Sequence, residues 1–212
     1  MKKIGFFTYI LVFTSFLFLG LAIFYKLNDK PIKTLPIYGQ KYFNGKDSVF
    51  HTVKAFKFIN QNGDSISEKT FEGSIYVADY FFTTCQSICP IMSTQMQLVA
   101  KEFSENKKVK FLSHTVNPEN DSVNVLYDYA KAHHANAEQW HFVTGDKKQL
   151  YNMARESYLL NAEIGDGGPN DFIHTQNFAL IDTHKNIRGF YDGTDKKDVQ
   201  RLIKDIKTLL KE

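Results

Sequence analysis

A run of nine mostly apolar residues, SIYVADYFF at 74–82, leads directly towards the only two cysteines of the chain, Cys85 and Cys89. Such a run, rich in aromatic and β-branched residues, predicts a strand that is buried on both faces. Apolar residues at helical spacing over 91–103 then predict a helix. Both thiols are therefore expected at a strand–helix junction within a folded domain, and this junction limits the possible folds more than any other feature.

Strand and helix patterns alternate through the rest of the globular region. They comprise an alternating segment over 53–58 followed by an Asn62-Gly63 turn, strands over 74–82, 108–116, 140–144, 178–182 and 186–191, and helices over 91–103, 121–133, 147–158 and 195–210. This order, which closes in a hairpin and an amphipathic helix, predicts an α/β domain with a central mixed sheet flanked by helices. A thiol motif at a strand–helix junction is typical of a thioredoxin-like fold.

The N-terminal segment has a different character, because residues 4–25 form a run of 22 positions without a charge. A membrane-spanning helix needs about 20 apolar residues, whereas the apolar part of a signal peptide has about 7–15. We therefore expect a single-pass membrane anchor at 1–25, with a cleaved signal as the alternative. A linker follows at 26–40, where two prolines interrupt any regular pattern, and a thioredoxin-like domain occupies 41–212.

The expected location follows from the short segment that precedes the anchor. Such a segment favours an N-terminus inside the cell, which would leave the globular domain on the outer, extracytoplasmic side of the cell membrane. That compartment is oxidising, so two neighbouring thiols there form a disulfide unless they are reduced or bound to a metal.

The composition argues against two classes of protein. A hydrophobic fraction of 43% can build a proper core, which argues against a disordered chain. A net charge of only +3, with basic residues spread along the chain, gives no reason to expect a nucleic-acid partner.

The spacing of Cys85 and Cys89 favours reactive thiols over structural ones. A disulfide between them closes a very short loop and restrains little of the unfolded chain, and two small buried hydrophobic side chains are the other structural interpretation. In a helix, side chains at i and i+4 share one face, and a helix N-terminus favours the thiolate that both metal binding and disulfide exchange require. Two sulfurs are too few for structural zinc, but with one imidazole they suit copper, above all Cu(I).

Among the seven histidines, His174 has the most favourable position for a third ligand. It follows the glycine-rich segment 161–172 and precedes the predicted strand 178–182. In a thioredoxin-like sheet the segment that enters this strand packs against the cysteine-bearing turn, and the preceding loop would let His174 move onto an ion. The other histidines receive no ligand role: His51 in a segment before the core, His114 as a candidate core residue, His133 and His134 at a helix end, His141 beside a strand and His184 in a turn.

Sulfur atoms recur along the predicted helix, since Cys85, Cys89, Met92 and Met96 fall at i, i+4, i+7 and i+11. A thioether would serve as an auxiliary copper ligand or an entry relay. Methionines at helical spacing are also ordinary core residues, and both interpretations stay open.

Several motifs together resemble the Sco/SenC family of copper-binding assembly factors of cytochrome c oxidase, over nearly all of residues 50–195. They are FTTCQSICP at 82–90, SHTVNPENDS at 113–122, WHFVTG at 140–145, and DFIHT at 171–175 followed by LID and IRGFYDG. The resemblance implies a thioredoxin-like fold and Cys85, Cys89 and His174 as ligands of Cu(I) or Cu(II). It also implies, as partner, the copper-centre subunit of the oxidase or another copper protein.

The cysteine motif departs from the family pattern at two positions. Many members have Pro and Asp between the cysteines, where this chain has Gln86 and Ser87. The loss of an acidic residue beside the site is expected to change the metal affinity and the redox potential, but not the set of ligands.

Three functions are compatible with these residues. The leading hypothesis is a membrane-anchored copper metallochaperone that assists assembly of the dinuclear copper centre of cytochrome c oxidase. The alternative is a thiol–disulfide oxidoreductase, with Cys85 as nucleophile and Cys89 as resolving thiol, that reduces cysteines of exported or copper-site proteins. The third is a copper sensor or buffer, which differs from a chaperone only in its partner.

Overall fold

The computed structural model describes residues 5–28, 34–43, 45–160, 168, 171 and 173–212, in two compact units, Met1–Lys33 and Thr34–Glu212. The first unit contains one helix, α1, at Phe6–Asn28. Within the described residues, none of the helices combines the length and the apolar character that crossing a membrane would require.

The second unit contains nine strands and four helices among its described residues, together with a short 3₁₀ helix and a π-helical turn. The strands are β1 Lys41–Phe43, β2 Ser48–Phe50, β3 Lys57–Asn60, β4 Ser65–Ser67, β5 Ile75–Phe81, β6 Val109–Thr115, β7 Trp140–Thr144, β8 Asn177–Ile181 and β9 Ile187–Asp192. The helices are α2 Ile88–Glu102, α3 Val123–Ala132, α4 Lys147–Asn152 and α5 Lys196–Leu209, with the 3₁₀ helix at Glu68–Phe71 and the π-helical turn at Met153–Ser157.

Seven strands form one mixed sheet in the order β4-β3-β7-β6-β5-β8-β9. The central strands β5, β6 and β7 are parallel, and the remaining neighbours pair antiparallel. The predicted α/β architecture, a central mixed sheet flanked by helices, is confirmed.

Two clusters of buried side chains show that the sheet is the middle layer. Alternate residues of β5 divide between them, with Ile75 and Val77 in one cluster and Tyr76 and Ala78 in the other. The first cluster includes side chains of α2, α3 and α5, and the second includes those of α4 and the π-helical turn. Helices therefore cover both faces of the sheet, which explains why all seven residues of β5 are buried.

Most element boundaries agree with the sequence patterns to within a few residues. Gly63 has a φ of 82° in the predicted turn between β3 and β4, a conformation that favours glycine. Helix α2 begins at Ile88, before the predicted start at 91, because Pro90 is tolerated within the first turn of a helix.

Three segments of the domain differ from the sequence predictions or extend them. The short exposed hairpin of β1 and β2 was not predicted, since three-residue strands leave no measurable alternation. The predicted helix 147–158 is α4 followed by the π-helical turn. In the segment interpreted as a linker, the Leu35 and Tyr38 amides donate to the Glu212 carboxylate and to the Ile187 carbonyl, at 2.9 and 2.8 Å.

Candidate metal centre

The cysteines lie at the carboxyl end of β5, at the edge of the sheet where the parallel strand β6 also ends. Phe81 and Thr115 are paired at this edge. A turn follows β5, closed by a hydrogen bond from the Cys85 amide to the Phe82 carbonyl oxygen at 3.2 Å, and α2 starts three residues later. The strand–helix junction thus places Cys85 just before α2 and Cys89 within its first turn.

The two thiols are free and in contact. The Cys89 backbone N–H donates to the Cys85 sulfur at 3.4 Å, and the Ser87 hydroxyl lies 3.6 Å from the same sulfur. Cys89 is only 4% exposed, whereas Cys85 is half-buried. The start of α2 therefore donates a hydrogen bond to the Cys85 sulfur, while the core covers the Cys89 sulfur.

This asymmetry separates the acidities of the two thiols. Partial burial raises the pKa of Cys85, but hydrogen bonds from the Cys89 thiol and from the Ser87 and Cys89 amides outweigh it and lower the pKa to about 7. Burial and the hydrogen bond to the Cys85 sulfur raise the pKa of Cys89 to about 12. Near neutral pH Cys85 is accordingly divided between thiolate and thiol, whereas Cys89 keeps its proton.

His174 reaches the same edge of the sheet by antiparallel pairing. Strand β8 runs opposite to β5, with Ala78 beside Ala179, so the start of β8 lies near the end of β5. His174 is exposed, and it lines a cavity of about 270 Å³ together with both cysteines, Tyr80 and Ile173.

The three candidate ligands line one cavity, but their donor atoms do not surround a common position for a metal ion. Among the described residues, no group of three His, Cys, Asp or Glu side chains is arranged to hold a metal ion. Two thiols and one imidazole on a shared cavity nevertheless form a donor set that suits a soft monovalent ion. Closing such a set requires loss of the Cys89 proton and movement of the His174 side chain.

Met92, Met96 and the six other histidines do not line this cavity. Met92 and Met96 are fully buried in the core beside Cys89, the position of ordinary core residues. His114 is buried in β6 with its ring stacked on Tyr80 at 4.7 Å, and burial lowers its pKa to about 3, so it is neutral. The other five histidines occupy varied positions: His51 bonds to the Ser157 carbonyl oxygen, His133 packs on Tyr129, His134 and His184 are exposed, and His141 is buried in β7.

A buried carboxylate that the sequence did not reveal connects the loops beside the site. Asp121 is the first residue of the predicted helix 121–133, but it is fully buried and its carboxylate accepts from the Thr83 amide and hydroxyl at 3.3 and 2.5 Å. The Thr115 hydroxyl donates to the same group. Asp121 therefore joins the segment between β5 and the cysteines to the end of β6, and its partner Thr83 is too distant in sequence to be recognised.

A second buried acid, Asp79, lies within β5 and is 2% exposed. Ser113 donates to it at 2.5 Å, and the Trp140 indole N–H donates to Ser113 at 2.9 Å. Burial raises the pKa of Asp79 to about 7. The sequence carries a signal for this group, since it is the single charge in a run of otherwise buried strand residues.

Comparison with known proteins identifies the family. A family model described as SCO1/SenC matches residues 44–211. The SCO1 protein homolog of Bacillus subtilis (strain 168) is 29% identical over 165 residues, which cover 77% of this chain and 85% of that protein.

Solved structures of Sco proteins are also similar to this chain. BsSco, described as a member of the Sco family of cytochrome c oxidase assembly proteins with a disulfide switch, is 29% identical at a TM-score of 0.64, over 77% of this chain and 96% of that one. Arabidopsis thaliana ScoI, solved with copper bound, shares the fold at 23% identity and a TM-score of 0.60, over 76% of this chain and 99% of that one. With a family model that matches most of its length and a cysteine pair at the expected junction, the chain belongs to the SCO1/SenC family.

Proposed function

We propose that this protein is a copper metallochaperone that holds one copper ion through Cys85, Cys89 and His174. The observation that carries the proposal is the shared cavity, which is lined by both thiols and the imidazole. Membership of the SCO1/SenC family and the copper-bound relative add support. Soft thiolates with one imidazole favour copper, and especially Cu(I), over the hard ions Mg²⁺ and Ca²⁺.

Binding would proceed from the more acidic thiol. The Cys85 thiolate would take the ion first, and the positive charge would then favour loss of the Cys89 proton, so copper uptake releases protons near neutral pH. His174 would complete the site from the exposed side. The same order in reverse would release the ion by ligand exchange to the thiolates or imidazoles of a partner.

The proposed partner is the copper-centre subunit of cytochrome c oxidase or another copper protein, with this chain assisting assembly of the dinuclear copper centre. A Sco relative described as a cytochrome c oxidase assembly protein supports this assignment. A sensor or buffer would bind copper in the same way and transfer none of it. Transfer from the loaded chain to a copper-free oxidase subunit, followed by the optical spectrum of that subunit, distinguishes the two.

We further propose that residues 4–25 anchor the chain in the cell membrane as a single pass, with the globular domain on the extracytoplasmic side. The run of 22 uncharged positions supports this proposal. Alkaline extraction of membranes should leave the full chain in the pellet, and protease added to spheroplasts should digest the globular domain. Release by alkali, or protection from the protease, would contradict it.

A second candidate function, thiol–disulfide exchange, is favoured by the unequal acidities of the cysteines. A half-buried low-pKa thiol beside a buried high-pKa thiol suits attack followed by resolution. The Cys85 thiolate would attack a partner disulfide and expel one partner thiolate. The Cys89 thiolate, after losing its proton, would then displace the other, so the partner gains two electrons and this chain is left with a Cys85–Cys89 disulfide.

Anaerobic Cu(I) titration of the full chain, reduced and oxidised, tests the two functions against each other. We expect one tight equivalent in the reduced chain and none in the oxidised chain, with affinity about 100-fold weaker in His174→Ala because a ligand is lost. Stoichiometric tight binding that survives both Cys85→Ala and His174→Ala would contradict the site. Rapid disulfide exchange without any copper binding would favour the oxidoreductase.

A further inference from the structure

We propose that the Arg155–Asp171 ion pair positions His174 beside the two thiols and thereby sets the metal affinity of the centre. The inference rests on the proposed copper site. It assigns Arg155 and Asp171 as positioning residues, because neither lines the cavity that the three candidate ligands share.

The ion pair is bidentate and mostly shielded from solvent. The two terminal guanidinium nitrogens of Arg155 donate to the two carboxylate oxygens of Asp171 at 2.8 and 2.6 Å. The side chains are 14% and 9% exposed, respectively. Parallel charge-assisted hydrogen bonds fix both distance and orientation, and little solvent competes with them at this exposure.

A buried hydroxyl holds the same backbone segment. The Tyr151 hydroxyl donates to the Val116 carbonyl oxygen at 2.7 Å and lies 3.3 Å from the Asp171 carbonyl oxygen. Val116 itself lines the cavity with the cysteines. Tyr151 therefore connects the backbone at Asp171 to Val116, the residue after β6, at the edge of the sheet where the site lies.

The element that carries Arg155 is firmly supported. A hydrogen bond from the Tyr158 amide to the Met153 carbonyl oxygen, at 2.8 Å, gives the turn its π-helical geometry. The Ser157 hydroxyl accepts from the Lys54 amide at 2.7 Å, and the Ser157 carbonyl oxygen lies 2.8 Å from a His51 ring nitrogen. Such π-helical turns are rare and occur often at functional sites; here the turn presents the guanidinium to Asp171.

His174 consequently lies between two fixed points. Asp171 is held three residues before it, Ile173 is buried in the core, and β8 begins three residues after it at Asn177. The short segment restricts where the imidazole can go, so less conformational entropy is lost when a metal binds. Without the ion pair, the His174 imidazole would still be able to bind a metal ion, but it would no longer be held beside the two thiols.

Asp171→Asn tests the inference, with Cu(I) affinity measured by competition against a chromophoric chelator in the full, reduced chain. We expect affinity about tenfold weaker than wild type, in the range of losses that follow from removing a group which orients a ligand. The matched control is Glu156→Gln, which breaks the exposed Lys54–Glu156 ion pair of the same turn, at 2.7 Å, and should leave affinity unchanged.

A double-mutant cycle separates positioning from a general effect on folding. Adding Asp171→Asn to His174→Ala should cause no further loss of Cu(I) affinity, because the residue it positions is absent. In the copper-free chain, Asp171→Asn should speed hydrogen exchange over 173–177 while the Cys85 alkylation rate stays at its wild-type value. Arg155→Lys, which keeps one charge but not the bidentate geometry, should give an intermediate affinity.

The outcomes distinguish this inference from the proposed function. If the wild-type chain binds no Cu(I), or binds it independently of His174, the copper site is wrong. If wild-type binding depends on His174 but Asp171→Asn binds equally well, or weakens binding equally in the His174→Ala background, only the positioning role is wrong.

Discussion

The dithiol half and the imidazole half of the candidate centre are built in different ways. Cys85 and Cys89 lie at the junction of a fully buried strand and a helix, and both contribute to one thiol–thiolate hydrogen-bond system. His174 is exposed and depends on the Arg155–Asp171 ion pair for its support. Thiol acidity is therefore a property of local secondary structure, whereas the position of the third ligand is a property of long-range contacts. Mutations should therefore be able to change the acidity of the thiols without changing the position of His174, and the reverse.

The largest effect is expected in the dithiol half. Cys85→Ser removes the low-pKa thiolate, and because a hydroxyl is a hard ligand and stays protonated, Cu(I) affinity should fall by well over about 100-fold. Competition with a chromophoric chelator measures this loss. Ser87→Ala, which removes only a hydroxyl 3.6 Å from the same sulfur, should remain within a few-fold of wild type. Wild-type affinity in Cys85→Ser would show that the dithiol half is not the primary site.

A smaller effect concerns the scaffold beneath the cysteines. Asp121→Ala leaves the hydroxyls of Thr83 and Thr115 without their buried acceptor, so the free energy of unfolding should fall by about 3 kcal/mol. Asp121→Asn keeps one acceptor oxygen and should cost less. Urea denaturation at pH 7 measures both variants. A loss below about 0.5 kcal/mol in Asp121→Ala would mean that the link between the β5 and β6 loops contributes little.

The sequence predicted the dithiol half well because its signals are local. The apolar run before Cys85 and the helical periodicity after Cys89 correspond to β5 and α2 to within three residues at each end. The expectation that His174 lies near the cysteines followed from strand order, and the structure places it on their cavity. Its role as a ligand remains a prediction.

The supports of the site were not predictable from the sequence, since each depends on residues far apart in the chain. Asp121 is the first residue of a predicted helix, and nothing local indicates that its carboxylate accepts from Thr83. Arg155 lies in a segment with an ordinary helical pattern, which does not reveal the π-helical turn. The glycine-rich segment 161–172, whose mobility was predicted, lies outside the described residues apart from Gly168 and Asp171.

The buried acid of β5 should make stability depend on pH. Asp79 has a folded pKa of about 7, against about 4 in an unfolded chain. As pH rises between these values the unfolded state loses its proton while the folded state keeps it, so the free energy of unfolding falls. Asp79→Asn stays neutral, and at pH 8 it should be more stable than wild type by about 4 kcal/mol, since a difference of one pKa unit corresponds to about 1.4 kcal/mol.

Thermal unfolding at pH 5 and pH 8 measures this difference. Below about pH 4 the two proteins should converge, because the wild-type carboxyl is then protonated in both states. A wild-type chain whose stability relative to Asp79→Asn is the same at pH 5 and pH 8 would contradict the raised pKa.

The smallest effect should distinguish the two thiols. Cys89→Ala removes the side-chain donor to the Cys85 sulfur but keeps the backbone N–H donors, so the pKa of Cys85 should rise. The pH midpoint of iodoacetamide alkylation, near 7 in wild type, should move upward by about one unit. Thr94→Ala, an exposed change on α2, should not move it. An unchanged midpoint in Cys89→Ala would mean that the backbone donors alone lower the pKa.

X-ray absorption at the copper edge of the reduced, loaded full chain tests the centre most directly. Two sulfur ligands and one imidazole nitrogen are predicted for wild type, with the imidazole scattering absent from His174→Ala and both sulfurs retained. A third sulfur in the first shell would contradict the account, and so would an imidazole signal that persists in His174→Ala, because either result would place the third ligand elsewhere than at His174.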